Sequence, residues 1–195
     1  PIVLATSETA DELSGASVVD EARGLAQITF DCKIFELYAD LPALEPEPGE
    51  KTQDGLYVRT GNNYAQILET LAEQSKDIKV LASPTLRVLD GKQGIIKSES
   101  QMEYVKGYEE KPGNKSEPIK DTVRGLMELK IQGKVAANNC VRTQLSFAKS
   151  TPSFETQNDA QGREVQIPQI AKIQCSTVVL APDRQPFIVG GLKST

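Results

Sequence analysis

Met127-Glu128-Leu129-Lys130-Ile131-Gln132-Gly133-Lys134-Val135, then Ala137-Asn138-Asn139, then Val141-Arg142-Thr143-Gln144-Leu145-Ser146-Phe147-Ala148-Lys149, is the stretch on which the fold turns. Both runs alternate polar and apolar residues, the two-residue period of a strand with one buried face. The polar link between them is short enough to make the pair a hairpin. Met127, Leu129, Ile131 and Val135 oppose Glu128, Lys130, Gln132 and Lys134, while Val141, Leu145 and Phe147 oppose Arg142, Gln144 and Ser146. Such a hairpin suits a wall with water on one side and lipid or protein on the other. It suits a soluble sandwich with one wet face equally well.

Further strands and turns lie on either side. Ile173 to Leu180 and Phe187 to Val189 flank Pro182-Asp183-Arg184-Gln185, which reads as a last hairpin ending in Gly190-Gly191. Pro152 to Gly162 reads as a polar loop. Tyr108 to Ile119 carries Pro112, Pro118 and many charges, and reads as a long exposed loop. Tyr104 and Tyr108 are expected to pack that loop down, and Glu109-Glu110 beside Lys106 and Lys111 to be a solvated charge run. Leu86 to Leu89 and Gly94 to Ile96 flank Asp90-Gly91-Lys92-Gln93, where Asp-Gly supplies the positive φ of a tight hairpin. Ile78 to Ala82 runs into Ser83-Pro84, and Pro84 restricts that strand to a start or an edge.

One helix stands out. Tyr64, Ile67, Leu68, Leu71 and Ala72 share one face of a 3.6-residue period, with Asn63 as N-cap and Gln66 placed to reach back. The stripe reads as core packing. Before it, Leu41 to Gly49 breaks regular structure with three prolines. Ala26 to Leu37 is a strand with Ile28, Phe30, Cys32 and Ile34 on one face. Residues 5–24 are small, polar and acidic, either a mobile lead-in or one short helix around Ala10–Leu13. The fold class expected is α+β, predominantly β: antiparallel hairpins with one early amphipathic helix. An acidic lead-in covers 1–25 and the main domain 26–195. Sandwich, closed sheet and barrel wall shared in an oligomer all remain compatible with the periodicity.

Composition narrows the function. The 195 residues include no His and no Trp, and hydrophobic residues make up 38%. Without His there is no Ser/His or Cys/His pair and no imidazole metal ligand. Cys32, Cys140 and Cys175 are far apart, which excludes a zinc ribbon or CxxC redox motif. One disulfide, with Cys32 and Cys175 as a pair if their strands adjoin, and three reduced thiols are both compatible. Residues 1–50 carry 11 acids and 2 bases, and residues 51–195 carry 16 acids and 20 bases. The bases are scattered among acids, so nucleic acid is not an expected partner. Asp54, Asp77 and Asp90 lack calcium-loop spacing, and no cofactor is expected. The longest apolar stretch, around Val178 to Ala181, is far short of a membrane helix. Pro1-Ile2-Val3-Leu4-Ala5 has no basic n-region, and a proline start fits a trimmed or cut chain.

Four segments in order resemble the secretin homology domain, the C-terminal pore-forming module of bacterial type II and III secretion and type IV pilus outer-membrane channels. They are Ile28 to Leu37; the helix Tyr64–Gln74 with Ile78 to Leu86, including Ser83 and Pro84; Pro168-Gln169-Ile170; and Ser176 to Leu192, with Asp183 and the closing Gly190-Gly191-Leu192. The resemblance implies a channel subunit that is not an enzyme, one that works as a homo-oligomer with secretion-machinery proteins and exported protein substrates. It places the chain in the bacterial outer membrane or periplasm. It gives Lys106 to Asp121, with Lys106, Gly107, Tyr108, Pro112, Gly113 and Pro118, the position of the central gate. Met127, Leu129, Ile131, Val141, Leu145 and Phe147 fall on the wall strands. Arg184 stands where the family usually has Gly, Ser98 and Glu103 where it has Gly and Pro, and Gln132-Gly133 where a strand-ending Pro is usual. A soluble secretin-like interaction module that forms no pore is the alternative.

Overall fold

The alternation in Ile28-Thr29-Phe30-Asp31-Cys32-Lys33-Ile34 becomes a strand whose even side chains are fully buried, and at Phe35 the phase flips, so that Phe35 and Leu37 are buried instead. The flip coincides with a register shift against the neighbouring strand between Ile34 and Phe35. The extra residue, Leu81, is on β4, whereas β2 pairs with β1 without interruption, so its side chains keep alternating and Phe35 and Leu37 are buried on the face that carries Lys33. The computed structural model describes residues 2–11, 26–38, 57–60, 62–112 and 115–192. The loop expected over Leu41 to Gly49 lies outside them.

The elements run β1 Ile2–Asp11, β2 Gln27–Leu37, β3 Tyr57–Thr60, α1 Asn62–Gln74, β4 Ile78–Ala82, β5 Thr85–Leu89, β6 Gln93–Lys111, β7 Lys115–Ala136, β8 Cys140–Asn158, β9 Glu164–Pro182 and β10 Phe187–Leu192. The fold is α+β and predominantly antiparallel β, as expected. One sheet has the order β3-β10-β1-β2-β4, with β5 also on β2; a four-stranded sheet has the order β6-β7-β8-β9. Contacts divide the chain into two units. The first takes the chain up to Ile96, Lys130–Ser146 and the stretch from Cys175; the second takes Lys97–Leu129 and Phe147–Gln174.

In the first unit β1 corrects the reading of the lead-in. Ile2–Asp11 pairs with β2 along its whole length and with β10 on its other side, so Ala10 and Asp11 end a strand rather than start a helix. β10 lies between β1 and β3, and Phe187, Ile188 and Val189 are all buried. Such covering on both faces is typical of a central strand. α1 packs on β10 and β4, and its Glu69 pairs with Lys33, an odd-numbered residue of β2. Ile67 and Ala72 are half-buried. The helix runs from Asn62, one residue ahead of Asn63. The opposite, even face of β2 meets β7, where a Cβ on Gly133 would come 2.7 Å from Phe30 Cζ and 2.8 Å from Ile28 Cδ1.

Ser83 and Pro84 lie between β4 and β5. β4 and β5 form one interrupted line beside β2, and the Pro84 carbonyl accepts the Cys32 N–H across the gap (2.9 Å). The line lies at the sheet edge, where a proline removes no ladder bond.

Two expected hairpins are corrected. Gly91 has φ +73° and Lys92 N–H bonds Leu89 O, so the tight turn is present. It nevertheless leads from β5 in one sheet to β6 in the other. A Cβ on Gly94 would come 2.5 Å from Leu86 Cδ2 and 2.8 Å from Val88 Cγ1, so β6 starts across the side chains of β5, not along its edge. The turn is pinned from outside: Asp90 Oδ1 accepts the Val135 N–H (2.8 Å) and Gly133 O accepts the Gly91 N–H (2.8 Å). The Pro182–Gln185 turn likewise carries the chain from β9 into the other sheet, with Asp183 N–H on Asn139 O (2.7 Å).

Arg184, in the place of a glycine, has φ +62°, and Gln185 N–H bonds Pro182 O. A side chain in this left-handed region is disfavoured by about 1–2 kcal/mol, partly offset by the greater unfolded-state freedom of glycine. Arg184→Gly should therefore raise stability by about 1 kcal/mol in urea denaturation. Its exposed guanidinium, 3.7 Å from Asp183, contributes little against that. All three cysteines stand as thiols, Cys32 and Cys175 buried and Cys140 half-buried.

Candidate functional site

The β7–β8 hairpin is the one the alternation predicts. Its turn places Asn138 and Asn139 at φ +62° and +53°, the pair of positive values that a two-residue type I′ hairpin turn requires and asparagine tolerates. Leu129, Ile131, Val141, Leu145 and Phe147 are buried, Met127 is half-buried and Val135 is exposed. The apolar face of these strands is therefore covered by protein of the same chain. β6 to β9 are 19, 22, 19 and 19 residues long, against about 3–10 for ordinary strands.

The two loops expected here are strands. β6 runs to Lys111 and β7 begins at Lys115, so Lys106, Gly107, Tyr108 and Pro118 all lie on strands, with Pro112 at the turn. Gly113 lies outside the described residues. β8 continues through Pro152 to Asn158, leaving only a short turn before Glu164. The expectation of loops fails for a physical reason: side chains 97–103 and 115–122 are exposed on both faces, so no apolar period marks the strands.

Opposite charges meet where the apolar pattern is missing. Across β6 and β7, Lys97 pairs with Glu128 (2.8 Å), Lys106 with Asp121 (3.2 Å), Glu103 with Lys120 (3.4 Å), and Lys111 with Glu117. Opposite charges on neighbouring strands attract, each exposed pair adding at most about 1 kcal/mol. Tyr104 stacks at 5.5 Å on Phe154, and Tyr108 lies under the Arg163 guanidinium at 4.6 Å, so both tyrosines serve packing.

The β8–β9 turn is built around Asp159. Its Oδ1 accepts the N–H groups of Gln161 and Arg163 (2.9 Å each), its Oδ2 takes Arg163 Nε (2.7 Å), and Gly162 supplies φ +76°. Arg163 reaches on to Glu110 Oε1 (2.6 Å). The Arg163 N–H and then its guanidinium hold the Asp159 carboxyl below its ordinary value; the Thr122 N–H and then Lys106 do the same for Asp121. Bonds to Asp159 and Glu110 raise Arg163 further. Carboxyls depressed in the folded state stabilise it wherever they are ionised. Their contribution is complete above about pH 4 and is lost as pH falls through the depressed values. The melting temperature should therefore fall as pH drops below about 4, and Asp159→Asn should flatten that fall.

Of the motif residues, Asp183 is at the β9–β10 turn, and Gly190, Gly191 and Leu192 lie on β10, with Gly190 opposite Tyr57 and Leu192 opposite Ile2. The sequence reading missed Asp159, Arg163 and Gln166. The signal available was Asp159-Ala160-Gln161-Gly162, an Asp with a Gly three residues on, which marks a tight turn.

Among the described residues no group of three acidic, His or Cys side chains could hold a metal, and no helix is long and apolar enough to cross a membrane. No curated protein and no solved structure matches the chain. A family model does: Secretin, described as bacterial type II and III secretion system protein, over residues 71–195, more than half of the sequence. That span opens within α1 and takes in all of β4 to β10, the four long strands included. The chain belongs to the secretin family.

Proposed function

We propose that this chain is a subunit of a homo-oligomeric outer-membrane secretion channel, lending β6 to β9 to a barrel wall shared between copies. The observation that carries this is the four-stranded sheet itself: strands of 19 to 22 residues in the order β6-β7-β8-β9, with β6 and β9 at its ends. A strand crosses a bilayer in about 9–11 residues, so length is ample. Terminal strands of a sheet invite further strands, and closing a ring of identical copies removes every edge at once. The β6–β7 turn, at the place of the family's gate, would close or open the lumen. In this role no bond is made or broken, and the partners are secretion-machinery proteins and exported proteins.

A second reading is favoured by a specific observation. The wall strands bury their apolar face in their own chain, and residues 97–103 and 115–122 show no lipid-facing apolar band, the pattern of a soluble interaction module. Electron microscopy of full-length protein extracted in mild detergent separates the two. Rings of many copies are the result expected. Small particles of one or two copies at every concentration would exclude the channel.

A further inference from the structure

Val105 lies on β6, at one end of the four-stranded sheet, and its N–H donates to the side-chain oxygen of Gln166 on β9 (3.0 Å), the strand at the other end. Close by, Arg163 at the foot of β9 binds Glu110 and covers the Tyr108 ring, both on β6. All five residues belong to the second unit. The two terminal strands of one copy are thus tied together through side chains, and at Val105 the tie takes the main-chain donor that an added strand would need.

We infer that Gln166 and Arg163 form a latch that keeps the β6 edge of an unassembled copy occupied, and that it must release before a strand of a second copy can pair there. The inference rests on the ring reading above. A side-chain amide copies one bond of a strand ladder but cannot continue it, so an incoming strand that supplies the whole ladder displaces it. Arg163 is also suited to letting go. Asp159 Oδ2 and Gln161 Oε1 (3.2 Å) hold it within its own turn, so leaving Glu110 does not leave it without a carboxylate. Asp159 and Gly162 stiffen that turn and present the arginine at a fixed place. Until a partner arrives, the latch protects an edge that would otherwise pair indiscriminately.

The test compares the full-length protein with its Arg163→Gln/Gln166→Ala variant. Exchange of the Val105 amide is read by NMR in the dilute, unassembled protein, and the concentration at which rings appear is read by light scattering and electron microscopy. Release of the latch should speed Val105 exchange, and lower the ring-forming concentration, by roughly fivefold to tenfold each. Faster exchange with an unchanged or higher ring-forming concentration would overturn the latch while leaving the ring intact. Unchanged exchange would overturn it too. If neither protein forms rings at any concentration, the channel reading itself has failed and the latch falls with it. Should the double variant lose its strand signal in circular dichroism, Gln166→Ala alone, which removes only the acceptor of Val105, is read by the same measures.

Discussion

Phe30→Ala should destabilise the protein by about 3–5 kcal/mol in urea denaturation, the range for emptying a well-packed aromatic site. Phe30 is fully buried on the even face of β2, with Ile28 and Ile34 on the same face. Its ring stands so near Gly133 that an added Cβ would lie 2.7 Å from Cζ, and Ile28 Cδ1 closes the other side at 2.8 Å. Neither side chain is exposed, so neither has room to give way. Gly133→Ala should accordingly cost about 1–3 kcal/mol through overpacking, even though alanine is the better strand residue. The double variant should be less damaged than the two effects added together, because the new methyl enters space that the ring has left. Simple additivity would mean that Phe30 does not rest on β7. Glycine rather than proline at this position also keeps β7 going: the strand runs on to Ala136, where the Val135 N–H meets Asp90.

The contrast between β2 and the long hairpins shows how far the residues alone could be read. Ile28, Phe30, Cys32 and Ile34 declare their face because one side of the strand is wet and the other dry. The burial of Phe35 and Leu37 on the other face is invisible, since it depends on what covers each face of the sheet and not on the alternation within β2. Asp90-Gly91 and Pro182–Gln185 were legible as turns, because turn chemistry fixes local backbone angles. Which sheet the chain then joins depends on distant contacts, such as Leu86 and Val88 under Gly94. Tyr108 to Ile119 and Pro152 to Gly162 looked like loops because strands exposed on both faces have the composition of loops. β1 was hidden by its acidic surroundings, although Ile2-Val3-Leu4 is a strand-forming run. The family was legible in the residues, whereas the Asp159, Arg163 and Gln166 cluster was not. It joins residues about 50 to 60 positions apart to Glu110, Tyr108 and Val105, with no shared motif to announce it.

Leu145→Ala should cost about 2–5 kcal/mol in the unassembled protein, with no lipid or detergent present. Leu145 is fully buried, as are Val141 and Thr143 on the same face of β8, whereas Arg142 and Gln144 on the other face are exposed. Were lipid the natural cover of this face, the leucine would be exposed in a single copy, and its truncation would be close to neutral in water. The matching control is on β9, where Leu180 is 61% exposed; Leu180→Ser should change stability by no more than about 0.5 kcal/mol. A large loss at Leu145 with none at Leu180 has a consequence for the proposed ring. The wall strands then bring their core with them, so joining copies completes backbone ladders rather than apolar packing. The free energy of assembly would come from the edges of β6 and β9, and variants along those edges, not in the core beneath, would govern whether copies associate. A Leu145→Ala protein that unfolds no more readily than the wild type in buffer, yet fails to form rings in detergent, would instead place that face at the subunit boundary or in the bilayer.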